Sequence, residues 1–167
     1  YYWRDYHGTL PNDAVLAGID SQGQPVYIGL VYIRGFELLP ATFYPVQGIA
    51  RTTAYSSILE PTENIRILCS PHPEAFEWLS IQSKDLQYYT YLNLIPGGNE
   101  VGENLYIGRV FRDNGAIIGK IFRHERDNRG IWFPYGKGPA NSLTYEILAY
   151  NCAKVFYPKM DTSVKTS

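Results

Sequence analysis

One block of this 167-residue chain occurs twice, and this repeat constrains the fold more than any other feature of the sequence. The triplet Tyr27-Ile28-Gly29 returns as Tyr106-Ile107-Gly108, and residues 17–29 align with residues 96–108 at a constant offset of 79 without a gap. A unit of about 80 residues buries little surface by itself. We therefore expect two pseudo-symmetric modules that share one core across a pseudo-twofold axis, because two copies are too few for a stacked solenoid.

The composition favours β-structure in both copies. The chain contains 15 Tyr, 7 Phe and 3 Trp, which are typical of strands, and its 15 Gly and 11 Pro interrupt strands at turns. Residues 142–155 have a helix-like spacing of apolar side chains, but the matching residues 64–68 of the first copy have strand composition. Because matching residues of the two copies should have the same secondary structure, we predict a strand over residues 145–148. The predicted fold class is all-β, with antiparallel strands in both modules.

The repeat also sets the predicted domain boundaries. Residues 1–70 form the first module, residues 71–157 the second, and residues 158–167 a polar C-terminal tail that we expect to fray. Cys69 and Cys152 lie near the ends of the two copies. They form either one disulfide or two separate thiols, so the cysteines leave the redox compartment open.

Charge and motifs exclude several classes of function. The formal net charge of -1 gives no electrostatic footprint for nucleic acid, and no stretch approaches the ~18 apolar residues of a membrane span. The sequence has no zinc-protease, serine-hydrolase or phosphate-loop motif, and its three His complete no metal-binding spacing. We expect no nucleic-acid partner, no membrane span, no metal, no cofactor and no catalysis. A glycosidase that uses Asp20 and Glu100 is disfavoured, because no paired carboxylates are visible.

The informative polar residues occupy matched positions in the two copies. Asp20 and Asn99 each lie seven residues before the repeated triplet, and Thr42 aligns with Lys120 after a one-residue gap. One copy therefore offers Asp with Thr, and the other offers Asn with Lys. The structural alternative is that Asp20 and Asn99 only shape turns, since both residue types bond their own backbone before glycine.

In the order of its motifs the chain resembles the DM-nine repeat proteins, tandem-repeat lectins that bind mannose. The resemblance covers about residues 3–150 and is carried by Pro11-Asn12-Asp13-Ala14-Val15-Leu16-Ala17-Gly18-Ile19-Asp20 in the first copy and by Asn104-Leu105-Tyr106-Ile107-Gly108-Arg109, Gly119-Lys120-Ile121, Phe133-Pro134-Tyr135-Gly136 and Tyr145-Glu146-Ile147-Leu148 in the second. It implies a sugar site built around the aspartate of the repeat and the lysine of a Pro-Gly-Lys turn.

Such a pair suits a hexose, whose hydroxyls both donate and accept hydrogen bonds. A carboxylate accepts such bonds and an ammonium donates them, without a metal. This chain departs from the family pattern, because Thr42 replaces the lysine of one copy and Asn99 the aspartate of the other. Either both copies hold half sites, or Asp20 meets Lys120 across the pseudo-twofold axis and leaves Asn99 with Thr42. Glu100 is a further candidate for the missing carboxylate.

The resemblance implies a mannose-type lectin that recognises mannose-containing glycans, for example those of pathogens in innate immunity. Two sites in a chain, or a homodimer, would raise the avidity of weak single sites. We expect a secreted or extracellular protein, with a cytoplasmic one as the alternative. The alternative function is a non-lectin interaction or structural protein that keeps the fold while its sugar site has degenerated.

Overall fold

The structure, a computed structural model, describes residues 1–124 and 128–156. The predicted tail, residues 158–167, lies outside the described residues. The described strands are β1 Tyr2–Asp5, β2 Leu16–Ile19, β3 Pro25–Ile33, β4 Glu37–Tyr44, β5 Ile49–Ala54, β6 Ser57–Leu59, β7 Ile65–Cys69, β8 Phe76–Gln82, β9 Pro96–Glu100, β10 Glu103–Arg112, β11 Gly115–Phe122, β12 Ile131–Tyr135, β13 Gly138–Ser142 and β14 Thr144–Tyr150. Helical structure is limited, within this part of the chain, to 3₁₀ turns at Pro73–Ala75 and Ser83–Tyr88 and the single turn α1, Ala153–Phe156.

The predicted all-β fold with two copies of one antiparallel unit is confirmed. In the first copy β3 pairs with β2, β4 and β7, and in the second β10 pairs with β9, β11 and β14, all antiparallel. Ile28 lies opposite Thr42 and Ile107 lies opposite Lys120, so the registers agree with the alignment of Thr42 with Lys120. The strand predicted over residues 145–148 lies within β14.

Pro96-Gly97-Gly98 has a composition typical of a turn, but it begins strand β9. These glycines permit close packing, because a Cβ on Gly98 would overlap the carbonyl oxygen of Leu38 on β4. Glycine inside a strand often marks such a close backbone approach. Strands β1, β8 and β13 have short, polar or mixed sequences that carry little strand periodicity.

The two copies share one core, as the repeat predicts. One apolar cluster lies within the second copy, and a second cluster consists of first-copy residues together with Leu105. A third cluster joins both copies, with Val26, Ile28 and Leu68 from the first and Ile107 and Leu148 from the second. The contacts cross between the copies in a symmetric way: β2 packs on β11, and β9 packs on β4. Each copy therefore covers apolar surface of the other.

The structure settles the state of the two cysteines and bears on the membrane. Cys69 is buried, Cys152 is exposed, and both are free thiols. Among the described residues, no helix has both the length and the apolar character that crossing a membrane requires.

Candidate functional site

Two clefts of about 350 Å³ each occupy matched places in the two copies. We call them the β11 cleft, which contains Lys120, and the β4 cleft, which lies where the first copy has Thr42. The ladders relate their linings position by position: Phe122 matches Tyr44, Trp132 matches Arg51, and Glu100 matches Ser21. The same frame therefore presents two different sets of side chains.

Each cleft borrows a turn from the other copy. Thr53 and Tyr55, from the β5–β6 hairpin of the first copy, line the β11 cleft. Pro134 and Gly136, from the β12–β13 hairpin of the second copy, line the β4 cleft in the same way. Each cleft is thus lined by residues of both copies. Asp20 lines the β4 cleft and Lys120 lines the β11 cleft, so these two residues do not meet.

A buried ion pair lies at the base of the β11 cleft. Lys120 Nζ donates hydrogen bonds to Glu100 Oε1 at 2.9 Å and to the carbonyl oxygen of Thr53 at 2.8 Å. Lys120 and Glu100 are only 5% and 7% exposed. Of the two carboxylate oxygens, Oε2 lies 2.8 Å from Nζ but receives no aligned hydrogen bond within the described part of the chain. A substitution that removes one partner of such a pair leaves an uncompensated buried charge.

Burial changes the acid–base behaviour of Lys120. Desolvation lowers the pKa of its ammonium below the usual 10.5, and the hydrogen bond and charge of Glu100 act in the opposite direction. An ammonium has three donors. Two of them bond Glu100 Oε1 and the carbonyl oxygen of Thr53, and Nζ also lies 2.8 Å from Glu100 Oε2.

The rest of the β11 cleft is mostly apolar, with three aromatic side chains. Trp132 lies beside Lys120 on the neighbouring strand, and Phe122 is two residues further along β11. Arg129 closes the rim, where it contacts Glu103 at 3.1 and 3.2 Å and lies 4.0 Å from the centre of the Phe122 ring. The cleft thus combines one polar pair at the base with apolar walls, a combination common in small-molecule sites.

The β4 cleft uses its matched residues structurally. The Oδ1 atom of Asp20 accepts hydrogen bonds from the backbone N–H groups of Gln22 and Gln24, both at 2.9 Å, so its side chain shapes the β2–β3 turn. Thr42 is fully buried, and its hydroxyl accepts a hydrogen bond from the N–H of Ile118 at 2.8 Å. The charged groups of this cleft include a pair between Arg51 and Glu60 at 3.0 Å.

Asn99 also has a structural place. It pairs with Asn104 in the β9–β10 hairpin and lies opposite Leu38 of β4, where the two copies join. Of the five residues singled out from the sequence, the structure therefore brings together only Glu100 and Lys120. Asp20, Thr42 and Asn99 lie at other positions of the frame.

The sequence did not single out Trp132, Thr53 or Tyr55 as site residues. Trp132 carried a usable signal, since it precedes the family-like stretch Phe133-Pro134-Tyr135-Gly136 on the strand that follows the lysine. Thr53 and Tyr55 carried none, because they reach the β11 cleft from the opposite copy.

Comparison with known proteins agrees with this architecture. The model of the DM9 repeat family matches residues 34–142, which confirms the resemblance read from the motifs. The crystal structure of the nematode sperm cell motility protein MFP2B is similar, with a TM-score of 0.62 at 16% identity over 90% of this chain and 47% of that chain. At that identity the likeness shows the fold alone, and this chain spans about half the length of that protein. None of the curated proteins matches the chain.

Proposed function

Because this chain belongs to the DM9 repeat family, we propose that it binds carbohydrate and holds a mannose-type hexose in the β11 cleft. The observation that carries the proposal is the Glu100–Lys120 pair at the base of a mostly apolar cleft. Glu100 supplies the carboxylate that Asn99 lacks. The pair has the chemistry that the family pattern assigns to an aspartate and a lysine.

The contacts available in the cleft suit two neighbouring hydroxyls. The Lys120 ammonium would supply a charged donor for a hydroxyl oxygen, and the Glu100 carboxylate a charged acceptor for a hydroxyl proton. Hydrogen bonds of this charge-assisted type are about twice as strong as neutral ones. The ring of Trp132 packs against the C–H face of a pyranose, which places apolar carbon surface on an apolar wall.

The unequal clefts support one such site in each chain. In the β4 cleft the lysine position is Thr42, which is occupied by its bond to Ile118. The position of Glu100 is Ser21, so neither charge of the pair is present there. We therefore propose a stoichiometry of one hexose per chain. Avidity toward a polyvalent glycan would then require a homodimer.

A calorimetric titration with methyl α-mannoside tests the proposal, with and without a chelator. The variant should remove both charges together, as in the double change Glu100→Gln and Lys120→Met, because a single change leaves a buried unpaired charge and destabilises the fold. We expect one metal-independent site in the wild type and an affinity lower by about 10- to 100-fold in the double variant, the equivalent of losing charged hydrogen bonds.

The matched control is the double change Asp5→Asn and Arg66→Met, which removes an exposed ion pair on β1 and β7. Its affinity should equal that of the wild type. The proposal is wrong if the wild-type protein does not bind the sugar, or if the Glu100 and Lys120 variant binds it as tightly as the control does.

Binding without catalysis is part of the proposal. A glycosidase needs two carboxyl groups within roughly 5–10 Å of each other across the scissile bond. The candidates Asp20 and Glu100 line different clefts, which supports a binding site and no hydrolysis. Incubation with a mannobiose followed by chromatography should show the disaccharide unchanged. Recognition of foreign glycans also points to a secreted protein, which fractionation of the source cells would test.

A non-lectin interaction protein is the second candidate. The replacement of the lysine by Thr42 in the first copy and of the aspartate by Asn99 in the second supports it, since a fold can persist after its site has changed. The similar structure MFP2B is that of a motility protein. A protein of this kind would bind no sugar on a glycan array, yet would form a stable oligomer in light-scattering measurements.

A further inference from the structure

We propose that Tyr55 forms a platform for a second sugar ring at the mouth of the β11 cleft, so that the site selects an oligosaccharide over a single hexose. The inference rests on the proposed sugar site at Glu100 and Lys120. Its own evidence comes from the backbone of the β5–β6 hairpin and from the difference between the two copies.

Tyr55 occupies a position that favours glycine. The hairpin between Ala54 and Ser57 has a two-residue loop in which Tyr55 has a φ of 51°. The matching β12–β13 loop, between Tyr135 and Gly138, has Gly136 with a φ of 64° at the same place. A loop with positive φ at its first central residue ordinarily takes glycine there. At this hairpin position the chain therefore has a strained tyrosine in the first copy and a glycine in the second.

Burial does not account for this strain. Tyr55 is 73% exposed, and its ring and that of Phe36 form a T-shaped contact at 4.9 Å between centroids. Phe36 is itself packed against the core of the first copy. This contact holds the tyrosine ring in place while most of its surface stays open to solvent. Strained residues of this kind cluster at ligand-binding sites.

A second exposed apolar residue at the same cleft repeats the pattern. Val101, in the two-residue β9–β10 loop, has a φ of 48° and is 60% exposed. Positive φ is unusual for a β-branched residue. Its counterpart Gln22 in the β4 cleft does not have positive φ. Two independent hairpins therefore place apolar side chains in left-handed positions beside the Glu100–Lys120 pair.

In this arrangement the base and the mouth of the β11 cleft contact different sugar rings. At about 350 Å³ the cleft lies at the low end of the range for ligand sites, roughly 300–1,000 Å³. The first ring takes the hydroxyl contacts at Lys120 and Glu100. A second ring, linked through a glycosidic oxygen, extends toward solvent, where its C–H face packs on the exposed face of Tyr55.

The change Tyr55→Gly is a sharp test, because it installs the residue that the other copy uses at the same φ. The ligands are methyl α-mannoside and α1,2-, α1,3- and α1,6-linked mannobioses, titrated by calorimetry. We expect the wild type to bind at least one mannobiose about 3- to 10-fold more tightly than the monosaccharide, a typical gain for an aromatic contact. Tyr55→Gly should remove this preference, so that the mannobioses bind no more tightly than methyl α-mannoside does.

Two further variants control for indirect effects. Tyr55→Phe keeps the ring and should keep the preference. Tyr91→Gly removes a tyrosine that is 82% exposed and does not line the cleft, and it should leave all affinities unchanged. Thermal unfolding of each variant checks that the fold is intact, and relief of strain should leave the Tyr55→Gly variant at least as stable as Tyr91→Gly.

The outcomes separate this inference from the proposed function. If the wild type binds the monosaccharide but shows no preference for any mannobiose, the inference about Tyr55 is wrong, whereas the proposed sugar site at Glu100 and Lys120 is retained. The same conclusion follows if Tyr55→Gly retains the preference. If the wild type binds neither kind of sugar, the proposed function fails, and the platform fails with it.

Discussion

At the residue scale, one aligned position shows how the copies have diverged. Thr42 uses its hydroxyl to hold the backbone of Ile118, whereas Lys120 extends into a cleft and pairs with Glu100. The sequence alone identifies Lys120 as a candidate and names Glu100 as a stand-in carboxylate, because the alignment exposes the mismatch. It does not decide whether Asp20 meets Lys120, since that depends on which turns cross between the copies.

The lowered pKa of Lys120 predicts how sugar binding depends on pH. Desolvation holds the pKa below 10.5, so the ammonium loses its proton at a lower pH than an exposed lysine does. Sugar affinity should therefore fall as the pH rises through the lowered pKa. In an NMR titration of the Lys120 side chain, assigned with the Lys120→Arg variant, the midpoint should lie below 10.5.

The lowered pKa of Lys120 also determines the direction in which the free energy of unfolding changes with pH. Between the lowered pKa and the ordinary one, the unfolded chain binds more protons at Lys120 than the folded chain does. The contribution of this residue to stability is therefore complete above the ordinary pKa and is lost as the pH falls through the lowered one. A side-chain titration at or above the ordinary value would contradict both statements.

The two thiols should differ sharply in reactivity. Burial, with a smaller effect of the Asp13 charge, raises the pKa of Cys69 to about 11, whereas Cys152 is exposed. Only the thiolate reacts quickly with a disulfide reagent. At pH 8 without reductant, Ellman's reagent should label one thiol in the native protein and two after denaturation. Cys152→Ser should abolish the native reaction, and a denatured protein with no free thiol would contradict the structure.

At the element scale, β9 shows where sequence reasoning fails. Its glycines resemble turn residues, but they let the strand approach β4 of the other copy. Local propensity does not reveal such a contact, because the partner strand is distant in the sequence. Strands with strong apolar character are predictable for the opposite reason: β3 and β10 have long runs of aromatic and β-branched residues that favour extended structure in isolation.

This packing predicts that two glycine-to-alanine substitutions reduce the free energy of unfolding by different amounts. Gly98 and Gly23 have similar positive φ values of 84° and 80°, but an added Cβ meets Leu38 at Gly98 and nothing within 4 Å at Gly23. Gly23→Ala should reduce the free energy of unfolding by about 1 kcal/mol through backbone strain alone. Gly98→Ala should reduce it by about 2–4 kcal/mol, because steric overlap adds to the strain.

Urea denaturation of both variants measures the difference. The Gly23→Ala variant is the matched control, since it has the same substitution in the same backbone region without the neighbour. Equal losses of stability would mean that β9 does not pack closely against β4. The two copies would then contact each other in another way.

At the scale of the whole molecule, the repeat predicts the fold better than it predicts the site. Matched apolar positions such as Ile28 and Ile107 enter one shared cluster, as expected for copies related by a pseudo-twofold axis. The composition of the β11 cleft follows from the crossing of hairpins between copies, which brings Thr53 and Tyr55 beside Lys120. An alignment of the two copies does not reveal which hairpins of one copy line the cleft of the other.

The shared core predicts that the protein unfolds as one cooperative unit, although its sequence is a tandem repeat. Ile107 is fully buried in the shared cluster, so Ile107→Ala should lower the free energy of unfolding by about 2–5 kcal/mol. The single transition should move to lower temperature without splitting, and the ratio of calorimetric to van't Hoff enthalpy should stay near one. Leu79→Ala, a change in a half-buried residue beside the second copy's own cluster, should behave in the same way with a smaller shift. Two resolved transitions in either variant would mean that the modules fold independently and that the shared cluster is only a contact between them.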